Sequence, residues 1–361
     1  ATNSLNTAVG YAAGAAITGS AAGSGDQNTI IGGEAGDALT TGRRNSVLGV
    51  GALTTDTKGN LSTALGYGAL NAQNFTTSTT SYNAAVGALA GAAITTGTQN
   101  SFIGYNAGGA LTDADFNIAI GTNALSTDTL GSKSIAIGTQ ALNVQSFTTA
   151  TDAHNIAIGY LTGSAVTTGE KNTFIGSLAG DSCTDGDHNT ILGYNSDLGA
   201  AGTSQVIVLG SQVTSQSANN FTFGFGATDS NIAFGATSIT APSDERYKEN
   251  IATSTAGLSF VKDLRPVTFQ WKKEKDVPSD HKAYVEDSNT RVMQSQGETM
   301  HGFIAQEVKT AIDNHSEIKD GFDMWSADPT DGRQRLGPSA LIPILVKAIQ
   351  ELEARIATLE G

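Results

Sequence analysis

Between residues 10 and 210 the chain returns twelve times to one short pattern, Asn-x-x-[Ile/Val/Leu]-Gly with small variations. The closing glycines are Gly10, Gly32, Gly49, Gly66, Gly87, Gly104, Gly121, Gly138, Gly159, Gly176, Gly193 and Gly210. The steps between them are 22, 17, 17, 21, 17, 17, 17, 21, 17, 17 and 17 residues. Self-similarity at a short fixed period marks a repeat architecture. Each unit holds a short apolar strand of period two, such as Asn117-Ile118-Ala119-Ile120-Gly121 or Ser134-Ile135-Ala136-Ile137-Gly138. Small residues follow, as in Tyr105-Asn106-Ala107-Gly108, and then a Thr/Asp/Gly turn. Glycine at the corner permits a positive φ without steric cost. A lone unit of 17 residues has no face to bury, whereas a stack does.

The predicted fold class is therefore a mainly β repeat over 1–210, a β-solenoid or β-roll of about twelve rungs. With about 4.8 Å per rung, the stack makes a rod of roughly 55–60 Å. A disordered Gly/Ser linker lacks regularly spaced aliphatics, so that reading fails. The longer steps add a second order of repetition: Asn71–Tyr82 matches Asn143–His154, and rungs group in fours from Gly10, Gly87 and Gly159. The units resemble the Asn-Ser-x-Ala-Ile-Gly coils of trimeric autotransporter adhesin heads, which implies left-handed β-rolls assembled in trimers. An interleaved three-chain β-helix fits the same pattern. Either arrangement leaves an apolar face for a partner chain.

Residues 211–242 break the period and read as an aromatic β neck. Asn220-Phe221-Thr222-Phe223-Gly224-Phe225-Gly226 is a period-two strand, and Asn231-Ile232-Ala233-Phe234-Gly235 echoes the rung motif. Large aromatics here suit a cap or a point where three chains tighten; exposed, they could also bind sugars.

At Ser243 the composition changes. Of 43 glycines, 36 precede it, and the chain ahead of it has only 5 Lys/Arg. Ser243 and Lys248 stand five residues apart in Ser-Asp-Glu-Arg-Tyr-Lys-Glu-Asn-Ile. A serine needs a base to become a nucleophile, and a lysine whose charged form is disfavoured by burial can be that base. Ser-Lys dyads are an accepted variant of triad chemistry. Spacing alone is equally consistent with an N-cap or turn before a charged run.

The stretch Ser243–Ile251 resembles the opening signature of the endosialidase-type C-terminal intramolecular chaperone, a self-cleaving domain of phage tail fibres and tailspikes. Three further blocks resemble that family in order: Leu264–Trp271, His301–Val308 and the closing helix Leu341–Leu352. The resemblance implies that 243–361 drives trimerisation of the fibre ahead of it. It further implies that Ser243 attacks the carbonyl of Pro242 with Lys248 as base, so that the chain breaks between Pro242 and Ser243. The serine-peptidase activity so implied acts on the chain itself, with no external substrate. The implied partners are two further copies, a glycan-bearing host receptor and an upstream tail or baseplate protein, in a virion tail fibre. The alternative is a bacterial surface or secreted trimeric adhesin that uses the same chaperone.

The second part reads as α+β, with helices at 304–313 and 339–360 and a long hairpin or arm over 272–299. Ile342, Leu345, Ile349, Leu352, Ile356 and Leu359 follow 3–4 spacing and form a coiled-coil seam.

Other chemistries find little support. A net charge of −14 argues against nucleic acid, whose phosphates call for Lys and Arg. No run of 18 apolar residues spans a membrane. Asp113/Asp115 and Asp185/Asp187 are possible Ca²⁺ ligands, but Asx-turns explain them equally well. Cys183 and His188 are too few for zinc, and His154 reads as a rung-edge polar residue. No phosphate-binding Gly-Lys-Ser/Thr loop occurs. No cofactor or metal site is predicted, and no carboxylate pair suggests a glycosidase cleft.

Overall fold

A computed structural model describes residues 5–18, 24–236, 238–293, 297–319, 322–328 and 332–361. It separates into two compact units, Ala1–Asp244 and Glu245–Gly361.

The first unit is a β-solenoid. One short strand per turn pairs in parallel with the strand of the next turn, from Thr7–Val9 through Val206–Ser211. The register is unbroken: Ala119 lies between Phe102 and Ala136, and Phe174 between Ala157 and Ile191. From Ile30 onward the middle residue of each strand points inward and is buried, and its two neighbours point outward. This is the period-two alternation written in the sequence. The two phenylalanines among the inward residues fit because glycines stand beside them. A Cβ on Gly108 would lie 2.3 Å from the Phe102 ring, and one on Gly180 would lie 2.8 Å from Phe174.

The corner glycines do more than turn the chain. All twelve have φ between +129° and +147°, where a side chain is strained. They also sit directly over one another. A Cβ on Gly121 would come within 2.6 Å of the Gly138 carbonyl carbon. The rungs can approach to hydrogen-bonding distance only while this column has no side chains.

A second column runs beside it. The buried rung asparagines pass hydrogen bonds from turn to turn: Asn45 N donates to Asn28 Oδ1 at 2.9 Å, Asn117 N to Asn100 Oδ1 at 2.9 Å, and Asn189 N to Asn172 Oδ1 at 2.9 Å. Each amide nitrogen donates onward to a backbone carbonyl, as Asn100 Nδ2 does to Ala114 O at 2.8 Å. The column changes at Ser62 and Ser134, where the 21-residue turns begin. The shorter side chain leaves room for Gln73, whose Nε2 donates to Asp56 at 2.7 Å and Ser62 Oγ at 2.8 Å, while its Oε1 accepts from Asn83 at 2.9 Å. Gln145 repeats this arrangement with Asp128, Ser134 and Asn155. Burial raises the Asp56 carboxyl above its ordinary value, against the lowering effect of the bond from Gln73.

The stack continues past Gly210. Asn220–Phe225 pairs in parallel with Val206–Ser211, with Gly224 opposite Gly210 and φ of +147°. A turn of only 14 residues brings it there, which hides this rung from a 17-residue search. Residues 231–235 do not form another rung. Thr228–Ala233 is the antiparallel return of a hairpin on Asn220–Phe225, with Asn231 donating to Thr222 Oγ1 at 3.0 Å.

The second unit is α+β. Helices α1 (Leu258–Asp263), α2 (Ala305–Asp313) and α3 (Leu341–Glu360) pack around Phe260, Val308, Ile312, Met324, Leu341 and Ile344. Val267–Phe269 pairs antiparallel with Met300–Gly302, and Trp325–Ala327 with Gln334–Leu336. The Leu258 amide donates to Glu351 at 2.9 Å, tying α1 to α3. Among the described residues of 272–299 the expected hairpin reduces to one antiparallel bridge, Lys273 to Arg291, beside a 3₁₀ turn at Glu274–Asp276. Its polar residues have no alternating apolar set with which to hold a ladder.

A pair of substitutions tests the glycine column. Gly121→Ala meets backbone and a positive φ and should cost more than ~3 kcal/mol. Gly33→Ala, where nothing lies within 4 Å of the new Cβ, should leave the thermal midpoint unchanged.

Candidate functional site

Pro242 and Ser243 lie exposed in a stretch without regular secondary structure at the end of the first unit. A one-turn 3₁₀ helix, Glu245–Tyr247, follows at once and opens the second unit. Lys248 comes directly after that turn, its amide donating to Glu245 O at 3.0 Å, and its side chain is exposed. A lysine acts as a base only where its surroundings penalise its charge.

A second feature, in the first unit, is apolar. The outward residues ahead of the corner glycines stand in register as Val9, Ile31, Leu48, Leu65, Val86, Ile103, Ile120, Ile137, Ile158, Ile175, Leu192, Leu209 and Phe223. Leu48 is 50% exposed, Ile103 46% and Leu192 44%. Over twelve steps of about 4.8 Å the column runs roughly 58 Å along the solenoid. Lone exposed aliphatics need no explanation, but a continuous stripe marks an interaction surface. In the second unit α3 turns Leu341, Ile344 and Ala348 to its own core and leaves Ile342, Leu345, Ile349, Leu352, Ile356 and Leu359 in solvent. These exposed residues are those of the heptad seam.

The other candidates have structural roles. Asp113 accepts from the hydroxyls of Thr95 and Thr96, both at 2.7 Å, and these bonds hold its carboxyl below the ordinary value. Asp115 accepts from the Thr98 amide, and Asp187 from the Glu170 amide at 2.8 Å, each across one rung. Asp185 accepts from the adjacent Thr184 hydroxyl. Among the described residues no cluster of three or more His, Cys, Asp or Glu is placed to hold a metal. Burial pushes the Cys183 thiol up to about 12, so it is a packing residue without nucleophilic character at neutral pH. His154 and His188 are exposed, with positive φ, one residue before the rung asparagines Asn155 and Asn189.

His315 carries no motif that singles it out in the sequence, yet it joins three parts of the second unit. Its Nε2 lies 2.8 Å from Asp263 at the end of α1, and its Nδ1 lies 3.0 Å from Glu317. Its ring meets Phe260 edge-on. Asp263 first, and then Glu317, raise its pKa above 6.5.

Residues 243–317 match the family model described as chaperone of endosialidase. The match takes in the Ser243–Ile251, Leu264–Trp271 and His301–Val308 blocks; the α3 block lies beyond it. No curated protein and no solved structure matches the chain.

The His315 arrangement makes the second unit sensitive to pH. A folded-state pKa raised above 6.5 gives stability that is fully present below that value and lost as pH rises through the higher one. Thermal unfolding followed by Trp271 and Trp325, the two tryptophans of the chain, should show a falling midpoint above neutrality. In His315→Gln that dependence should flatten.

Proposed function

We propose that this chain is part of a trimeric viral tail fibre, in which the first unit is the shaft and the second drives assembly before release. The observation that carries the reading is the aliphatic column. Covering a half-exposed Ile, Val or Leu contributes on the order of 1 kcal/mol. Twelve of them in register, with Phe223 continuing the column, give each copy a strong reason to associate along its length. The exposed seam of α3 supports the same stoichiometry-forming role for the second unit, and the chaperone-of-endosialidase match over 243–317 supports its nature.

The scission follows from Ser243 and Lys248. Neutral Lys248 Nζ takes the hydroxyl proton while Ser243 Oγ adds to the Pro242 carbonyl carbon. The C–N bond to Ser243 then breaks, Lys248 returns the proton to the departing nitrogen, and an ester joins Pro242 to Ser243 Oγ. Water hydrolyses that ester to leave a Pro242 carboxylate and a free Ser243 amine. Because both side chains are exposed in the single chain, assembly supplies the covering that disfavours the charged amine. Cleavage is thereby linked to completion of the trimer. Host attachment, to a surface glycan, falls to the turns and loops of the shaft, with an upstream tail protein holding its other end.

Wild type and Ser243→Ala should be compared by denaturing gel, intact mass and light scattering. We expect wild type to yield pieces split at Pro242/Ser243, the variant to stay whole, and both to be trimers. Monomers in both would remove the fibre reading. An uncut wild-type trimer would remove the scission alone.

A further inference from the structure

In the first unit two further columns run beside the aliphatic one, one on each side of it along the turn. The first is the residue before each rung asparagine, or before the serine or valine in its place, from Leu5 to Gln205. All twelve have φ between +51° and +79°, a region that costs any residue with a side chain and that glycine enters freely. Four residues past the corner, where φ is again positive, six turns use glycine: Gly14, Gly36, Gly91, Gly108, Gly163 and Gly180. None of the twelve residues of the first column is glycine. Strain kept where a cheaper residue is at hand points to a use for the side chain.

The second column is the residue after each corner glycine. Five turns place an exposed tyrosine there, Tyr11, Tyr67, Tyr105, Tyr160 and Tyr194, and the other seven hold only Gly, Ala, Val, Ser or Thr. Backbone bonds keep both columns in register from turn to turn, as Phe116 N donates to Thr98 O at 3.1 Å and Asn123 N to Tyr105 O at 2.9 Å. The two columns are complementary in size. The turns with Arg44, Tyr82, Phe116, Lys133 and Lys171 in the first have Val50, Ala88, Thr122, Thr139 and Ser177 in the second. The five tyrosines share their turns with Leu5, Leu61, Gln99, His154 and His188, so none shares a turn with Phe, Tyr, Lys or Arg. Lys133 and Lys171 have acidic partners on their own chain, Asp152 and Glu170, so the match is one of bulk and not of charge. Within one chain the aliphatic column lies between the two, and the match has a use only across chains.

We propose that the first column of each copy packs against the second column of the next. This rests on the assembly reading above and deepens it. In a three-fold ring with the aliphatic columns at its centre, one flank of each copy meets the other flank of its neighbour. The copies are related by rotation alone, so each turn meets the same turn of the next chain. Tyr82 and Phe116 then enter the space beside Ala88 and Thr122 of the neighbour, and each tyrosine lies over a side chain smaller than itself. The match also ranks alignments. The aliphatic column is alike at every turn, but a shift of one four-turn group would set Tyr82 against Tyr160 and Phe116 against Tyr194, an overpacked arrangement.

The test uses full-length chains carrying Ser243→Ala, in which the native cysteine, Cys183, is buried. One chain bears Phe116→Cys, a second with a different tag bears Thr122→Cys, and the two are refolded together and mildly oxidised. A mixed disulfide joining both tags on a non-reducing gel is expected. With Val50→Cys in place of Thr122→Cys, one four-turn group and roughly 19 Å away, its yield should fall about tenfold or more. In a second measurement Ala88→Tyr, a residue that five other turns already hold at that place, should lower the temperature at which trimers dissociate. Tyr82→Ala in the same chain should restore it. Trimers by light scattering with neither cross-link and no such rescue overturn the contact and leave the assembly reading standing. So does a trimer in which Phe116→Cys reacts with a water-soluble maleimide as fast as it does in urea, which would leave the column open to a different partner such as a glycan. Equal yields from Val50→Cys and Thr122→Cys overturn it as well. Monomers throughout overturn both.

Discussion

The solenoid depends on how closely one backbone can pass over the next. Parallel in-register pairing across every turn requires the corner residues to stack almost in contact, and the column from Gly10 to Gly210 permits it by having nothing to stack. The positive φ already strains any side chain there, and the close approach leaves no room for one. Once that distance is set, the asparagine amides reach from rung to rung and the inward Ala, Ile, Val and Phe side chains fill the interior. Phe102 and Phe174 then find room only because neighbouring turns supply further glycines.

Most of this was legible, because a repeated structural need repeats its residue. The glycine column, the alternation and the four-rung grouping could all be read from spacing. The rung at Asn220–Phe225 was not, since its shorter turn removes the period while keeping the strand. The echo at 231–235 does not reveal its direction, because a strand reversed in direction has the same composition as one that is not. The Asp56–Gln73–Asn83 relay showed itself only as a duplicated segment, because nothing in a lone glutamine reveals which buried carboxylate it serves. In the second unit the longer helices followed from apolar periodicity, whereas six-residue α1 is too short to show one. The Ser243–Lys248 motif is visible as residues, and the structure adds the one-turn 3₁₀ helix Glu245–Tyr247 that stands between them.

The two units pose different assembly problems. In the first, each turn touches mainly its neighbours, as in repeat proteins generally. The four-turn groups are nearly interchangeable, so three shafts could align one group out of step, roughly 19 Å along the axis, with most aliphatics still matched. The second unit has no internal repeat. In the assembly proposed above, a trimer nucleated there would have a single alignment, which would be passed to the first units turn by turn. That gives a physical reason for a uniform rod to carry a complex, non-repetitive end.

Thr228–Ala233 has a further consequence. By running antiparallel to Asn220–Phe225, it replaces the last parallel edge with one that no copy of the rung pattern can extend in register. The solenoid acts as a ruler whose length is written in the gene as a number of turns. Duplicating a four-turn cassette upstream would lengthen it by a fixed increment and leave this terminator in place.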